Sequence, residues 1–148
     1  MLLLRKMSEE NFNKAVDFIL QWETMNGAKI LVDDPNDKGG LTKYGISSRS
    51  HPDLDIQGLT LVQATTIYRT EYWDRAGCNM LPYPVDIAVF NMAVTSGVAT
   101  AKRLETPSVD FEDFIISCIK YYIDIKGQVL EGWINRAVDL FRTFRKLY

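Results

Sequence analysis

Apolar residues recur at three-and-four spacing from Phe12 through Ala15, Val16 and Ile19 to Trp22, the period of a helix with one buried face. Ser8, followed by Glu9 and Glu10, offers an N-cap and an acidic first turn, so this helix is predicted to start there. Glu23 stands four residues after Ile19, in the last turn and at the margin of the apolar face. A carboxylate in that place is partly screened from water, which disfavours its charged form and can keep it protonated near neutrality. The pattern then breaks. From Asp33 to Gly45 the chain is rich in Asp, Asn, Pro and Gly, and no helix continues through it.

Beyond that break the periods return. Ile30-Leu31-Val32 reads as a short strand, and Asn36 to Gly40 supplies turn chemistry. Thr60-Leu61-Val62-Gln63 is a capping box that opens a second helix carrying Ile67, Tyr68, Tyr72 and Trp73. Pro84 begins a third helix, apolar on nearly every side through Val94, and Gly97 suits its end. An apolar segment from Val109 to Ile125 stops at Gly127, and a last amphipathic helix carries Trp133, Ile134, Ala137, Val138, Phe141 and Phe144. The fold class predicted is mostly α (α+β), helical with one small antiparallel β element near the N-terminus.

Composition changes this picture little. At 148 residues, 47% hydrophobic and 24% charged, the chain is one domain with enough length for a core. A formal net charge of −2 gives no electrostatic footprint for nucleic acid. The charge is uneven, however. Arg136, Arg142, Arg145 and Lys146 gather near the C-terminus, where a solvated helix face suits the helix dipole and a polymer or membrane-surface contact is the rival reading. Cys78 and Cys118 make no disulfide framework, and Cys118 in the apolar run 114–119 reads as a buried thiol. The apolar stretch after Met1 is shorter than a signal-peptide core, with charges following it, and no run is long enough to span a bilayer. Met7 is an alternative start. Accumulation in the cytoplasm of the producing cell, as a monomer, is the expectation.

Particular residues add a family to this outline. Glu23, then Asp34-Pro35-Asn36-Asp37-Lys38-Gly39-Gly40-Leu41-Thr42-Lys43-Tyr44-Gly45-Ile46-Ser47, resembles the signature of glycoside hydrolase family 108. The likeness continues through Tyr72-Trp73-Asp74, Leu81-Pro82 and Val89 to Val94 leading to Gly97. Gly132-Trp133-Ile134-Asn135-Arg136 is similar to the family's C-terminal peptidoglycan-binding segment. The resemblance implies a lysozyme-like N-acetylmuramidase of the phage endolysin type, with residues 8–97 as the muramidase part and 98–148 as a helical wall-binding segment packed on it. The implied partner is the glycan strand of peptidoglycan. Nucleic acid and stable membrane insertion are not implied, and passage to the wall would depend on a holin or an export machine.

Glycoside hydrolysis needs a carboxylic acid across a sugar-sized gap from a second polar group. Glu23 is the candidate general acid. Asp33, Asp34 and Asp37 are candidates for the second carboxylate, with Asp34 and Asp37 inside the matched block, although Asp before Gly is also an ordinary turn former. The resemblance assigns Thr42 to holding a water on the far face of the sugar; a β-branched strand residue is the plain alternative. Gly39, Gly40 and Gly45 suit positive φ or close approach of a sugar. Tyr44, Tyr72 and Asn91 are candidate saccharide contacts, while packing is the default for Tyr72, Trp73 and Trp133. One histidine, His51, is too few for a zinc amidase, and a dyad of His51 with either cysteine has no supporting pattern. No cofactor is implied. Two departures from the family pattern stand out. Thr24 to Lys29 lengthens the loop after the acid, and Thr95 stands where the family tends to place Asn.

Overall fold

The computed structural model describes residues 2–24, 31–32, 40–105, 110–125 and 130–145. Helix α1 spans Leu2–Thr24. Strands β1 (Leu31–Val32), β2 (Thr42–Lys43) and β3 (Ile46–Ser47) form an antiparallel sheet in the order β1-β2-β3, with Val32 opposite Thr42 and Lys43 opposite Ile46. Helix α2 (Leu61–Ile67) passes into a π-helical turn, Tyr68–Trp73, and on into the short α3, Asp74–Ala76. A 3₁₀ turn at Cys78–Met80 leads to α4 (Val85–Ser96), α5 (Val98–Leu104), α6 (Phe111–Asp124) and α7 (Leu130–Arg145). The architecture expected, helices with one small antiparallel element near the N-terminus, is the one found.

Helix α4 occupies the centre because its sequence has no polar face to offer water. Every residue from Val85 to Ala93 is buried. Around it an aromatic cluster joins three elements: Phe90 meets Phe12 of α1 at 5.9 Å, and Trp73 and Tyr68 of the π turn at 5.5 and 5.9 Å between ring centres. These edge-on contacts add to the area each ring buries. Helix α7 closes the other flank. Phe144 packs edge-on against Phe18 of α1, Phe141 stacks on Phe111 of α6, and Asp139 accepts a 2.8 Å hydrogen bond from the Trp22 indole.

Three local expectations are revised. Helix α1 begins at Leu2, six residues before Ser8, so Ser8 is not an N-cap. Leu, Arg, Lys and Met upstream are good helix formers, and the Ser8 hydroxyl instead donates to Asn79 at 2.7 Å. The capping box at Thr60 and Gln63 is present as predicted, but the helix it opens widens to π geometry at Tyr68. Helix α5 was not expected at all. Gly97 does end α4, at φ +88°, yet the chain restarts at once, with Ala101 buried. Asn36 to Gly39, Ile30 and Gly127 lie outside the described residues.

Both cysteines are free and buried, and burial pushes the Cys118 thiol up to about 12. His51 pairs with Glu71 at 3.0 Å, away from either thiol's chemistry. Among the described residues no helix is long and apolar enough to cross a membrane.

Asp86, in the first turn of α4, is 1% exposed. Burial pushes its carboxyl up to about 6, against hydrogen bonds from Asn11 and from the Ile87 amide. Between the ordinary carboxylate value and about 6 the folded chain therefore holds a proton that the unfolded chain has released. The resulting stability is complete at acid pH and is lost as pH rises through about 6. Asp86→Asn removes the titration, and the Asn11 amide can turn to present its oxygen. The melting temperature of this variant relative to wild type should rise more at about pH 7.5 than at about pH 4.5. Equal differences at both pH values would contradict the assignment.

Candidate active site

Glu23 sits in the last turn of α1 as its spacing predicted, half-buried, with 35% of its side chain exposed. Its surroundings are less apolar than the helical stripe suggested. Arg136 of α7 places Nη1 3.3 Å from Glu23 Oε1, so the closest charged neighbour is a cation. The same guanidinium donates from Nε to the Asn91 side-chain oxygen at 2.9 Å, tying α4 into the arrangement. Asn91, expected to line the cleft, is instead 5% exposed and lies beneath the pair. It belongs to the wholly buried stretch of α4, where a polar side chain persists only with a partner.

On the other side of Glu23 stands the β2–β3 hairpin. Lys43 and Ile46 pair, leaving Tyr44 and Gly45 as a two-residue turn with φ of +51° and +76°. Positive φ at both central positions defines the type I′ turn that matches strand twist. Gly45 is required here for space as well. A Cβ on it would lie 2.6 Å from the Tyr68 hydroxyl and 3.3 Å from Glu23 Cδ and Cγ. Gly40 is also left-handed, at φ +67°, as its expected role required. The hairpin turn is thus pressed directly against the carboxyl group.

Tyr68 fixes that contact. Its hydroxyl donates to the Tyr44 carbonyl at 2.7 Å, and the ring is 1% exposed. Burial, and then the charge of Glu23, push its ionisation far above the ordinary tyrosine value, so the hydroxyl stays a donor. The π turn beginning at Tyr68 sets this aim; such turns concentrate where a side chain must be redirected. Tyr72, one turn on, is half-buried with its ring 5.9 Å from that of Tyr68, and burial also raises its hydroxyl. Tyr44 packs partly on the core, with Lys43 Nζ 5.6 Å from its ring centre. Thr42, on β2, is half-buried and donates to the Gly40 carbonyl at 3.2 Å, which leaves the hydroxyl oxygen free to accept. Asp33, Asp34, Asp37 and Gly39 lie outside the described residues.

Two residues were read differently from the sequence. Arg136 was placed on a solvated basic face, and it is 8% exposed. The signal was available, since Arg136 lies three residues after Trp133 and four before the fully buried Leu140, on the apolar stripe of α7. A charge on such a stripe needs a partner. Tyr68 was read only as a helix residue. Thr95, the second departure, turns inward, 2.9 Å from the Tyr122 hydroxyl. Trp133 packs as expected, 5.4 Å from the Tyr122 ring.

Gly45→Ala tests how closely the hairpin must approach Glu23. Strain at positive φ costs about 1–2 kcal/mol, and the added methyl must displace Tyr68 or Glu23. The expected result is a melting temperature lower by about 3–8 °C. Unchanged melting would contradict the close packing.

Glu23 at a helix end thus stands between the Arg136 guanidinium and a short hairpin. The family profile described as Glycosyl hydrolase 108 matches residues 16–97, more than half of the chain, and the protein belongs to that family of peptidoglycan-acting glycosidases. The matched segment contains Glu23, the hairpin, Tyr68 and Asn91, and stops before Arg136. A solved structure titled "Structure of Brucella abortus SagA" superposes with a TM-score of 0.75 at 23% identity, covering 93% of this chain and 95% of that one. That likeness establishes a shared fold over nearly the whole length. No curated protein matches the chain.

Proposed function

We propose that the protein is a muramidase, cleaving the β-1,4 bond between N-acetylmuramic acid and N-acetylglucosamine in peptidoglycan, with Glu23 as the general acid. The observation that carries this reading is the Glu23 carboxyl pressed against the Tyr44–Gly45 turn of the hairpin that bears Thr42. A protonated Glu23 would donate to the glycosidic oxygen as the bond to the sugar breaks, and charge developing on the ring requires a polar group opposite. Thr42 is proposed to hold a water there, and Asp34 or Asp37 is proposed as the second carboxylate. Tyr44, Tyr72 and Gly40 would flank the glycan. In a phage this activity would serve host lysis, the enzyme passing from the cytoplasm with help from a holin or export machine.

The test is digestion of purified peptidoglycan followed by mass spectrometry of the fragments. New reducing ends on N-acetylmuramic acid are expected. Anhydro-muramic ends would make the enzyme a lytic transglycosylase. Wall that pellets with the protein but stays uncut would make it a binding module.

A further inference from the structure

We propose that Arg136, on α7, is the positioning residue for the Glu23 carboxyl, so that the C-terminal helix completes an active site of which the family-matched segment holds only part. The inference rests on the reading of Glu23 as the acid. It begins from the cost of placing Arg136 where it is. A guanidinium 8% exposed is tolerated only when its charge and donors are met. Nε is met by Asn91 and Nη1 by Glu23, while Nη2 is buried with no hydrogen-bond partner among the described residues. A buried donor left unmet calls for an explanation, and a role in a working site is one.

The geometry explains what the arginine does. The guanidinium is a rigid planar fork, so anchoring Nε on Asn91 fixes the direction of Nη1. Nη1 then engages one oxygen of the carboxyl group, Oε1. Asn91 comes from the buried stretch Val85–Ala93 of α4, so the brace stands on the packed core. Misplacing a reacting group by about 1 Å can cost about 10²-fold in rate, which is the scale of benefit from holding this side chain still. The other groups facing Glu23 among the described residues are the neutral Tyr68 hydroxyl, committed to Tyr44, and the backbone of Gly45. Asp139 of α7 is taken up by Trp22.

The experiment compares wild type with Arg136→Met, Arg136→Lys and Asn91→Ala, following kcat, KM and melting temperature, with purified peptidoglycan as substrate. Arg136→Met should lower kcat by about 10–100-fold with little change in KM. Arg136→Lys keeps the charge and loses the fork, so kcat should recover only in part. Asn91→Ala leaves the charge in place and unfastens it, lowering kcat with KM little changed. A structural role for Arg136 would reduce melting temperature and active fraction in all three variants with kcat per active molecule unchanged.

A folded Arg136→Met enzyme with kcat within twofold of wild type overturns the proposal. Should Arg136→Met fail to fold, the Lys and Ala variants decide it: wild-type kcat in both overturns it. The Glu23 carboxyl ¹³C resonance at fixed pH separates this result from the fate of the muramidase reading. A resonance displaced in Arg136→Lys and Asn91→Ala, in a protein that cuts no glycan, leaves the pairing standing and removes the catalytic role. One that is not displaced removes the pairing itself.

Discussion

Glu23→Gln should abolish nearly all glycan cleavage, by about 10²–10⁴-fold, while leaving the fold intact. The substitution keeps the shape of the side chain and an oxygen able to accept from Arg136 Nη1, now at 3.3 Å from Oε1. What it removes is the proton to be given to the leaving oxygen. The side chain is part-exposed, so losing its charge beside Arg136 is partly compensated by water. Melting temperature should therefore change far less than activity does. Release of reducing ends by the purified variant, set against its thermal denaturation, checks both parts. Full activity in Glu23→Gln would end its assignment as the acid.

Phe90→Ala should have the opposite signature, a large loss of stability that takes activity with it. Phe90 is fully buried and joins Phe12, Tyr68 and Trp73 across three elements. Truncation leaves a cavity between rigid rings, which costs about 3–5 kcal/mol. Since a whole domain is stable by only about 5–15 kcal/mol, a substantial unfolded fraction is expected near physiological temperature. The loss also reaches the site, because Tyr68 packs on Phe90 by its ring while its hydroxyl holds the Tyr44 carbonyl. Urea denaturation should show a midpoint well below wild type. Phe90→Leu, which refills much of the volume, should recover most of the difference. Equal midpoints for Phe90→Ala and wild type would mean that the ring cluster is not a keystone of the core.

The two variants pull apart two kinds of information in this chain. Periodicity alone located Glu23 at the end of a helix and marked α4 as the element with no face for water. The Thr60–Gln63 box and Gly97 set boundaries that the structure keeps, because caps are local chemistry and are written where they act. The glycines at 40 and 45 were legible for the same reason: a left-handed turn constrains its own residues. These features depend on neighbours a few positions away.

Tertiary structure decided what stands beside the acid. Arg136 is 113 residues from Glu23, and nothing local connects them. The sequence could show that Arg136 falls on the apolar stripe of α7, and that a charge there needs a partner. Which partner it finds depends on how α7 packs across α1 and α4, through Phe144 on Phe18 and Asp139 on Trp22. The π turn at Tyr68 is decided in the same way, its hydroxyl reaching a carbonyl 24 residues earlier. By itself the sequence determined most of the helices, the caps at Thr60 and Gly97 and the place of Glu23 at a helix end, because each follows from spacing along one element. The cation that braces the acid, and the hairpin pressed against it, follow from distances between elements, which only the packed core sets.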